Sequence, residues 1–213
     1  MTTVIIDYES GNLHSALKSF QRMAAETDAG RVVVTSDADT VRKADRIVLP
    51  GVGAYADCRA GLDAVPGMHE ALNERVLRGG VPFLGICVGQ QLLATRGLEH
   101  GRDTNGFDWV SGEVRLIEPA DTSLKIPHMG WNELMIDQPH PVLDGIKAGD
   151  HAYFVHSYHL VPEINSEIFA HVNYGCTVTA AVGRDNIFGT QFHPEKSQKT
   201  GLRLIANFLQ WKP

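Results

Sequence analysis

The chain has 213 residues, 43% of them hydrophobic and 21% charged, a balance typical of folded globular proteins and unlike that of disordered chains. Its 19 Lys and Arg residues and 25 Asp and Glu residues give a formal net charge of −6 without a basic tract, so we expect no nucleic-acid partner. No apolar run approaches the roughly 20 residues of a membrane span, no signal peptide is evident, and the three cysteines cannot all pair, so we expect a cytoplasmic protein.

The first half of the chain alternates short β-branched runs with amphipathic stretches. Runs rich in Val and Ile predict strands over residues 3–6, 31–35, 46–49 and 81–86. Apolar residues at helical spacing predict helices over residues 13–26 and 68–78. Ser36 followed by Asp39 predicts a capping box that opens a further short helix. This alternation favours a mostly parallel sheet covered by helices.

The second half, after about residue 105, is richer in strands than in helices. Strand-like segments cover residues 113–117, 132–136, 153–160, 168–172 and 177–182. We expect a turn at 183–186 that leads into a strand over 187–192, and a closing helix over 201–211. No linker or internal repeat separates the halves. The prediction is a single α/β domain over residues 1–213, with a mixed sheet that the second half extends.

A cysteine flanked by glycines lies between a predicted strand and a predicted helix. The sequence Gly85-Ile86-Cys87-Val88-Gly89 has the pattern of a nucleophile elbow, in which a strained turn projects the central side chain out of the sheet. The glycines let neighbouring backbone approach, and the amides that follow can point at a developing oxyanion. The amino end of a helix also favours the thiolate, the reactive form. Cys87 is therefore the predicted nucleophile, whereas Cys58 and Cys176 lack this context.

A thiol nucleophile needs a general base, and one of the ten histidines is in a suitable setting. His193 precedes Pro194, which disfavours helical geometry at His193 and favours extended backbone. Side chains two positions apart on extended backbone point the same way, so we expect His193 and Glu195 to share a face. The carboxylate would then accept the imidazole N–H and orient the ring, as the third member of a triad does.

Three other histidines raise the question of a metal site. His151, His156 and His159 fall within one predicted strand, on which His151 and His159 share a face and His156 points the opposite way. No cysteine or carboxylate is spaced to complete a zinc site. We therefore expect neither a metal nor another cofactor.

Six separated segments carry motifs that occur together in one enzyme family. They are residues 6–12, 49–54, 83–93, 127–132, 154–158 and 191–197. In this order they resemble the class I (triad) glutamine amidotransferases, and among these the glutaminase subunits of imidazole glycerol phosphate synthase. The elbow with His-Pro-Glu indicates the class, and Asp-Tyr…Gly-Asn with Pro-His-Met-Gly-Trp-Asn indicates the subunit. The resemblance covers essentially the whole chain. It implies a flavodoxin-like α/β fold, with a mostly parallel central sheet flanked by helices and a strand-rich second half.

The resemblance also implies roles for individual residues. Cys87 is the implied nucleophile, His193 the acid and base, and Glu195 the residue that orients His193. The implied oxyanion-hole residues are Val52, Gly53 and Val88, and the implied substrate-binding residues are Gln91, Glu99, His156, Ser157 and Tyr158. The implied partner interface includes Asn12, Trp131 and Lys196. The chain departs from the family pattern at Glu9, Val88 and Gln90. Val88 should matter little because the oxyanion contact is a backbone N–H, whereas Glu9 and Gln90 affect the expected shape of local loops and leave the triad intact.

The implied reaction is hydrolysis of glutamine to glutamate and ammonia through a cysteinyl thioester. Ammonia would pass through a tunnel to a (β/α)8-barrel cyclase subunit, in a heterodimer of histidine biosynthesis. Two alternatives remain open: another class I glutaminase or a stand-alone γ-glutamyl or cysteine hydrolase, and a partner-binding module without activity. A hydrolase would turn over its substrates without a partner. A silent module would not react selectively at Cys87 with a glutamine-like alkylating agent, and the complete Cys–His–Glu set argues against it.

Overall fold

Fourteen strands and six helices make up the chain in a computed structural model that describes residues 1–213. The strands are β1 (Thr2–Ile6), β2 (Arg31–Thr35), β3 (Arg46–Gly51), β4 (Phe83–Cys87), β5 (Arg96–Glu99), β6 (Arg102–Asn105), β7 (Gly112–Leu116), β8 (His128–Glu133), β9 (Met135–Ile136), β10 (His151–His156), β11 (Tyr158–Pro162), β12 (Ile168–Asn173), β13 (Thr177–Arg184) and β14 (Ile187–Thr190). The helices are α1 (Leu13–Thr27), α2 (Ala38–Val41), α3 (Tyr55–Asp63), α4 (Met68–Leu72), α5 (Val88–Gln91) and α6 (Gln198–Gln210). A π-helical segment, Asn73–Arg78, continues α4.

One large mixed sheet organises the fold. Its strand order is β2-β1-β3-β4-β14-β13-β12-β9. The strands from β2 to β14 are parallel, and each pairing from β14 to β9 is antiparallel. Strands β8 and β10 form a separate antiparallel pair, and β11-β7-β5-β6 form a four-stranded sheet. The predicted α/β class is confirmed, and the second half of the chain extends the parallel sheet with antiparallel strands as expected.

The helices cover the large sheet in two groups. The connection through α1 runs from β1 to β2, whereas the connections through α2, α3 and α4 run in the opposite direction along the sheet. Because such crossovers are right-handed, the two groups lie on opposite faces. α6 joins α1, with the Phe20 and Phe208 rings in an edge-to-face contact at 6.3 Å. None of the helices combines the length and the apolar character needed to cross a membrane.

A connected core of 58 buried hydrophobic residues extends through both halves of the chain. The central strands are buried on both faces, which is why β1 ends in three successive apolar residues, Val4, Ile5 and Ile6, that are completely buried. The single-domain organisation stays a prediction, and this shared core supports it.

In the first half of the chain, the helices and strands predicted from local sequence patterns agree well with the structure. The predicted strands and α1 agree with the structure to within two residues, and the predicted helix over 68–78 is α4 with its π-helical continuation. The predicted capping box is wrong, because the side chain of Asp37, not that of Ser36, accepts the backbone N–H groups of Asp39 and Thr40. Three elements were not predicted: α3, β5 and β6.

The second half contains interruptions that the sequence pattern did not reveal. The predicted strand over 153–160 is wrong, because the chain breaks at Ser157 into β10 and β11. The predicted strand over 132–136 is likewise divided at Leu134 between β8 and β9. The turn predicted at 183–186 contains only Asp185 and Asn186, since β13 continues to Arg184 and pairs there with Ile187. The last strand ends at Thr190, short of the predicted 192.

Parallel pairing places three chain segments at one edge of the large sheet. Gly51 at the end of β3 is in register with Cys87 at the end of β4, and Thr190 at the end of β14 is in register with Ile86. The segments that follow these three strands therefore meet, as is usual at the carboxyl edge of a parallel sheet. This arrangement joins the elbow to the segment that contains His193.

The fold also buries one amide that has no partner. Gln90 in α5 is completely buried, and neither its Nε2 nor its Oε1 makes a hydrogen bond within the protein. We expect Gln90→Met, which keeps the length of the side chain and removes the unpaired amide, to raise the free energy of unfolding by about 1–3 kcal/mol. Urea unfolding measures this change. An unchanged or lower stability would show that the carboxamide is satisfied in solution.

Candidate active site

The elbow places Cys87 in a backbone conformation that few non-glycine residues adopt. Cys87 has φ 55° and ψ −113°, between the end of β4 and the start of α5. Such a conformation costs of order 1–3 kcal/mol and persists only where its surroundings impose it. Gly89 shows the constraint, because a Cβ there would lie 1.9 Å from the carbonyl oxygen of Leu49. At Gly85 a Cβ would lie 2.5 Å from the carbonyl oxygen of Gly89. Both glycines of the motif are thus required by close backbone packing.

His193 and Glu195 form a buried hydrogen-bonded pair. Imidazole Nδ1 lies 2.8 Å from Glu195 Oε1, and the two side chains are only 2% and 3% exposed. The predicted pairing is confirmed, but its geometry differs. His193 is extended as predicted, with φ −94° and ψ 99°, whereas Glu195 lies in a 3-10 turn, Pro194–Lys196, that brings its carboxylate back to the ring. The pair therefore results from a turn rather than from two positions on one strand face.

Burial and the neighbouring side chains shift the pKa of His193 in opposite directions. Burial favours the neutral ring, but the nearby Cys87 sulfur and the hydrogen-bonded Glu195 carboxylate outweigh burial and raise the pKa of His193 above its ordinary value. The second ring nitrogen, Nε2, is buried without a hydrogen-bond partner. His193 therefore has one nitrogen held by a carboxylate and the other available for proton transfer.

The backbone of His193 is fixed by a ring of hydrogen bonds to β10. The His193 N–H donates to the Tyr153 carbonyl at 3.0 Å, and the Ser197 hydroxyl donates to the His193 carbonyl at 2.7 Å. The same hydroxyl accepts the Tyr153 N–H at 2.9 Å. Tyr153 and Ser197 thus hold the backbone of the histidine in place.

Cys87 and His193 face one cavity of about 310 Å³. The cavity is lined by Val52, Gly53, Cys87, Val88, Gln91, Glu99, Pro127, Val155, His156, Ser157, Tyr158 and His193. Every residue predicted for the oxyanion hole or for substrate binding is among them. The structure therefore brings together side chains that lie more than a hundred positions apart in the sequence.

The predicted oxyanion residues differ in how their amides are engaged. The Val52 N–H donates to Ser10 Oγ at 3.1 Å, and that hydroxyl donates to the Val52 carbonyl at 2.8 Å. In this conformation Ser10 therefore engages the Val52 N–H, which is not a free donor to the cavity. Val88 is the first residue of α5, where a backbone N–H has no acceptor within the helix. Gly53, with φ +94°, lies beside it at the cavity wall.

Two cavity residues are held by defined partners. Gln91 Nε2 donates to the Tyr158 carbonyl and to Gln191 Oε1, both at 2.9 Å, which leaves Gln91 Oε1 without a partner in the protein. Glu99 accepts the backbone N–H of Tyr55, the first residue of α3, through one carboxylate oxygen. Each residue therefore keeps one oxygen free of strong contacts at the cavity.

A chain of neutral histidines lies behind the cavity. His156 Nδ1 is 2.8 Å from the Tyr158 carbonyl, His156 Nε2 is 2.9 Å from His128 Nδ1, and His128 Nε2 is 3.2 Å from Asn132 Nδ2. The carbonyl can only accept, so each histidine carries its proton on Nδ1. Burial lowers the pKa of His128 to about 4 and that of His156 to about 3.

The strand break at Ser157 also corrects the predicted orientation of the other histidines. His156 and His159 are both buried, whereas His151 is exposed. No group of three or more histidine, cysteine or acidic side chains is arranged to hold a metal ion.

The residues predicted for a partner interface lie on the surface near the site. Trp131 on β8 is 46% exposed, and its ring lies 5.9 Å from that of Tyr153. Lys196 Nζ lies 5.8 Å from the centre of the same Tyr153 ring. Asn12 directly precedes α1, and its side chain makes no capping hydrogen bond. Trp131 and Lys196 thus each contact the ring of Tyr153, and the three side chains form one surface cluster. The backbone carbonyl of Tyr153 accepts the His193 N–H, so this cluster adjoins His193.

Some residues of the site were not predicted from sequence. Gln191, which donates to the Cys87 sulfur, adjoins the His-Pro-Glu motif but carries no signal of its own. Ser10 and His128 lie within motif segments, yet their contacts with Val52 and His156 depend on the fold. A sequence pattern alone would not have selected them.

Known proteins match this chain over nearly its whole length. The family model described as glutamine amidotransferase class-I matches residues 4–211. Two curated relatives are the imidazole glycerol phosphate synthase subunits HisH of Cereibacter sphaeroides and Ruegeria pomeroyi, 62% and 60% identical over the full length of both chains. A solved structure of the Trypanosoma brucei CTPS glutaminase domain with bound acivicin has a similar fold, with a TM-score of 0.68 at 15% identity, covering 100% of this chain and 95% of that one.

The neutral histidines predict a pH dependence of stability. Below pH 6.5 the unfolded chain protonates His128 and His156 while the folded chain does not, so stability falls as the pH drops toward 4. Each histidine contributes about 1.4 kcal/mol per pH unit over this range. We expect His128→Phe to reduce the loss between pH 7 and pH 5 by roughly 2 kcal/mol in urea unfolding. Substitution of the exposed His151 by Phe is the control, and equal pH dependence in both variants would contradict the assignment.

Proposed function

The chain belongs to the class-I glutamine amidotransferase family, as the glutamine amidotransferase subunit of imidazole glycerol phosphate synthase, and we propose that Cys87 is the nucleophile with which it hydrolyses glutamine. One observation carries the proposal: the strained Cys87 and the Glu195-bound His193 face a single cavity. Cys58 and Cys176 have no comparable setting.

The reaction proceeds through a covalent thioester. The Cys87 sulfur bonds to the side-chain carbonyl carbon of glutamine, and the oxygen takes up the negative charge. When that intermediate collapses, the carbon–nitrogen bond breaks, and the proton on His193 Nε2 goes to the leaving ammonia. A water molecule then gives a proton to His193 and attacks the thioester, which releases glutamate and restores the thiolate. Glu195 keeps the ring oriented and stabilises its protonated form.

Backbone amides stabilise the oxyanion. Val88 and Gly53 line the cavity, so their N–H groups are the candidate donors, and one such donor is worth about 3–4 kcal/mol. Val52 would add a third donor once its N–H leaves Ser10. In the conformation described here, the hole is therefore incomplete, and Ser10 controls its completion.

Side chains around the cavity orient the substrate. Gln91 Oε1 is positioned to accept from the amide of bound glutamine, because the Gln91 amide nitrogen is already engaged. Glu99 provides a carboxylate for the α-ammonium group. Backbone groups of His156, Ser157 and Tyr158 are placed to hold the α-carboxylate.

The product ammonia is passed to a partner. In bulk water ammonia would be protonated and lost as a nucleophile, so a synthase requires a protected route. We assign the partner as a (β/α)8-barrel cyclase subunit that forms a heterodimer with this chain. The candidate contacts are the exposed Trp131 and Lys196, together with Asn12, which precedes α1. Trp131 is a candidate because aromatic residues are enriched at the centres of interfaces.

The alternatives carry less support. A stand-alone hydrolase and another class I glutaminase share the triad, but relatives at about 60% identity over the full chain carry the synthase name. A silent module would not need a buried imidazole–carboxylate pair beside a strained cysteine.

Removal of the Cys87 thiol tests the proposed nucleophile. Cys87→Ala should abolish glutamine hydrolysis, because no other thiol faces the cavity, and it should leave the thermal unfolding transition in place. The assembled complex of this variant with the cyclase subunit should still form product from added ammonium salts. Residual glutamine turnover in the variant would refute Cys87 as nucleophile. Failure of the ammonium reaction in an assembled complex would refute the division of labour between subunits.

A second prediction concerns Ser10. Ser10→Ala removes the acceptor that holds the Val52 N–H and one of the two donors to the Val52 carbonyl, so the N–H can turn to the cavity. We expect glutamine hydrolysis by the chain without a partner to increase, by up to about 100-fold, the lower end of the effect of one oxyanion donor. Cys58→Ala is the control, because Cys58 contacts Ser10 Oγ and the Val52 carbonyl but not the Val52 N–H. An unchanged rate in Ser10→Ala would contradict the role of this serine.

A further inference from the structure

A fully buried glutamine side chain contacts the reacting sulfur. Gln191 follows β14 directly and has no exposed surface. Its backbone is fixed to β13 through a 2.8 Å hydrogen bond from its N–H to the Ala180 carbonyl. Its side-chain Nε2 lies 3.6 Å from Cys87 Sγ, within hydrogen-bond range for sulfur. The Gln191 side chain therefore contacts the sulfur from the interior of the protein.

The orientation of this amide follows from its neighbours. The Tyr158 carbonyl can only accept, so the group of Gln91 that contacts it at 2.9 Å must be the NH₂ group. The same NH₂ group lies 2.9 Å from Gln191, which must therefore present its oxygen there. The remaining end of the Gln191 carboxamide, its NH₂ group, then faces Cys87. The Tyr158 carbonyl thus fixes the orientation of the Gln91 amide, which in turn fixes that of the Gln191 amide. As a result, a hydrogen-bond donor points at the Cys87 sulfur.

We propose that Gln191 is a catalytic residue that stabilises the Cys87 thiolate by donating a hydrogen bond to it. The inference rests on the proposed role of Cys87 as nucleophile. A neutral donor favours the charged sulfur without competing for the proton that His193 must carry to ammonia. Hydrogen bonds to charged groups are stronger than neutral ones, and in a buried site they are not weakened by water.

The chain contains a matched control for this proposal. Gln90 is also completely buried and adjoins the elbow, but its amide has no hydrogen-bond partner in the protein. Substitution of either glutamine by methionine removes a buried carboxamide and conserves side-chain length. Only the change at position 191 removes a donor to the sulfur.

The test is the pH profile of Cys87 alkylation by iodoacetamide in the full-length chain, followed by mass spectrometry of the Cys87 peptide. We expect the midpoint in Gln191→Met to lie about one pH unit above that of the unsubstituted chain. The limiting rate at high pH should rise about threefold, because a less stabilised thiolate is a stronger nucleophile. Gln90→Met should retain the original midpoint and limiting rate. A merely structural role would lower the limiting rate and leave the midpoint in place.

The outcomes separate this inference from the proposed function. An unchanged midpoint in folded Gln191→Met would overturn the role of Gln191 and leave Cys87 as nucleophile. If Cys87 of the unsubstituted chain reacts no faster than Cys58 and Cys176, the proposed function itself fails. Should Gln191→Met not fold, Gln191→Asn withdraws the same donor by one methylene and should raise the midpoint in the same direction. A midpoint unchanged in folded Gln191→Asn would then overturn the proposal.

Discussion

The site depends on the close approach of two backbone segments at the carboxyl ends of β3 and β4. α5 begins against β3 so closely that Gly89 has no room for a Cβ beside the Leu49 carbonyl. This contact turns the chain sharply after β4 and imposes the strained, positive-φ conformation of Cys87. The sulfur is therefore presented at the sheet edge, next to the segment that follows β3. Packing energy from the surrounding core maintains a backbone conformation that would be unfavourable in an isolated loop.

The topology of the sheet brings the general base and its carboxylate to the same edge. β14 lies parallel to β4, so the chain that leaves β14 enters the same edge with Gln191, His193 and Glu195. The histidines near this edge differ in their protonation. The Cys87 sulfur and the Glu195 carboxylate raise the pKa of His193 despite its burial, whereas burial without a carboxylate partner keeps His128 and His156 neutral. The same residue type thus serves as a proton carrier in one setting and as a fixed hydrogen-bonding link in the other.

Local patterns predicted the elbow, the His193–Glu195 pair and the parallel first half, because each has a signal within a few residues. Features that depend on distant partners were missed. The amino end of α3 is held by Glu99, 44 positions away from Tyr55, so the sequence before α3 has no capping residue. The break at Ser157, the hold of Ser10 on Val52 and the contact of Gln191 with Cys87 likewise arise only after the sheets assemble. The nucleophile was evident from sequence, whereas the groups that control it were not.

The cavity of about 310 Å³ presents one activated sulfur, that of Cys87. The most direct measurement is labelling of the native chain with a glutamine-like chloroketone, followed by mass spectrometry of all three cysteine peptides. The account predicts a single adduct, on Cys87, whose formation is slowed by added glutamine. Labelling at Cys58 or Cys176 at a comparable rate, or labelling of Cys87 that glutamine does not slow, would contradict it.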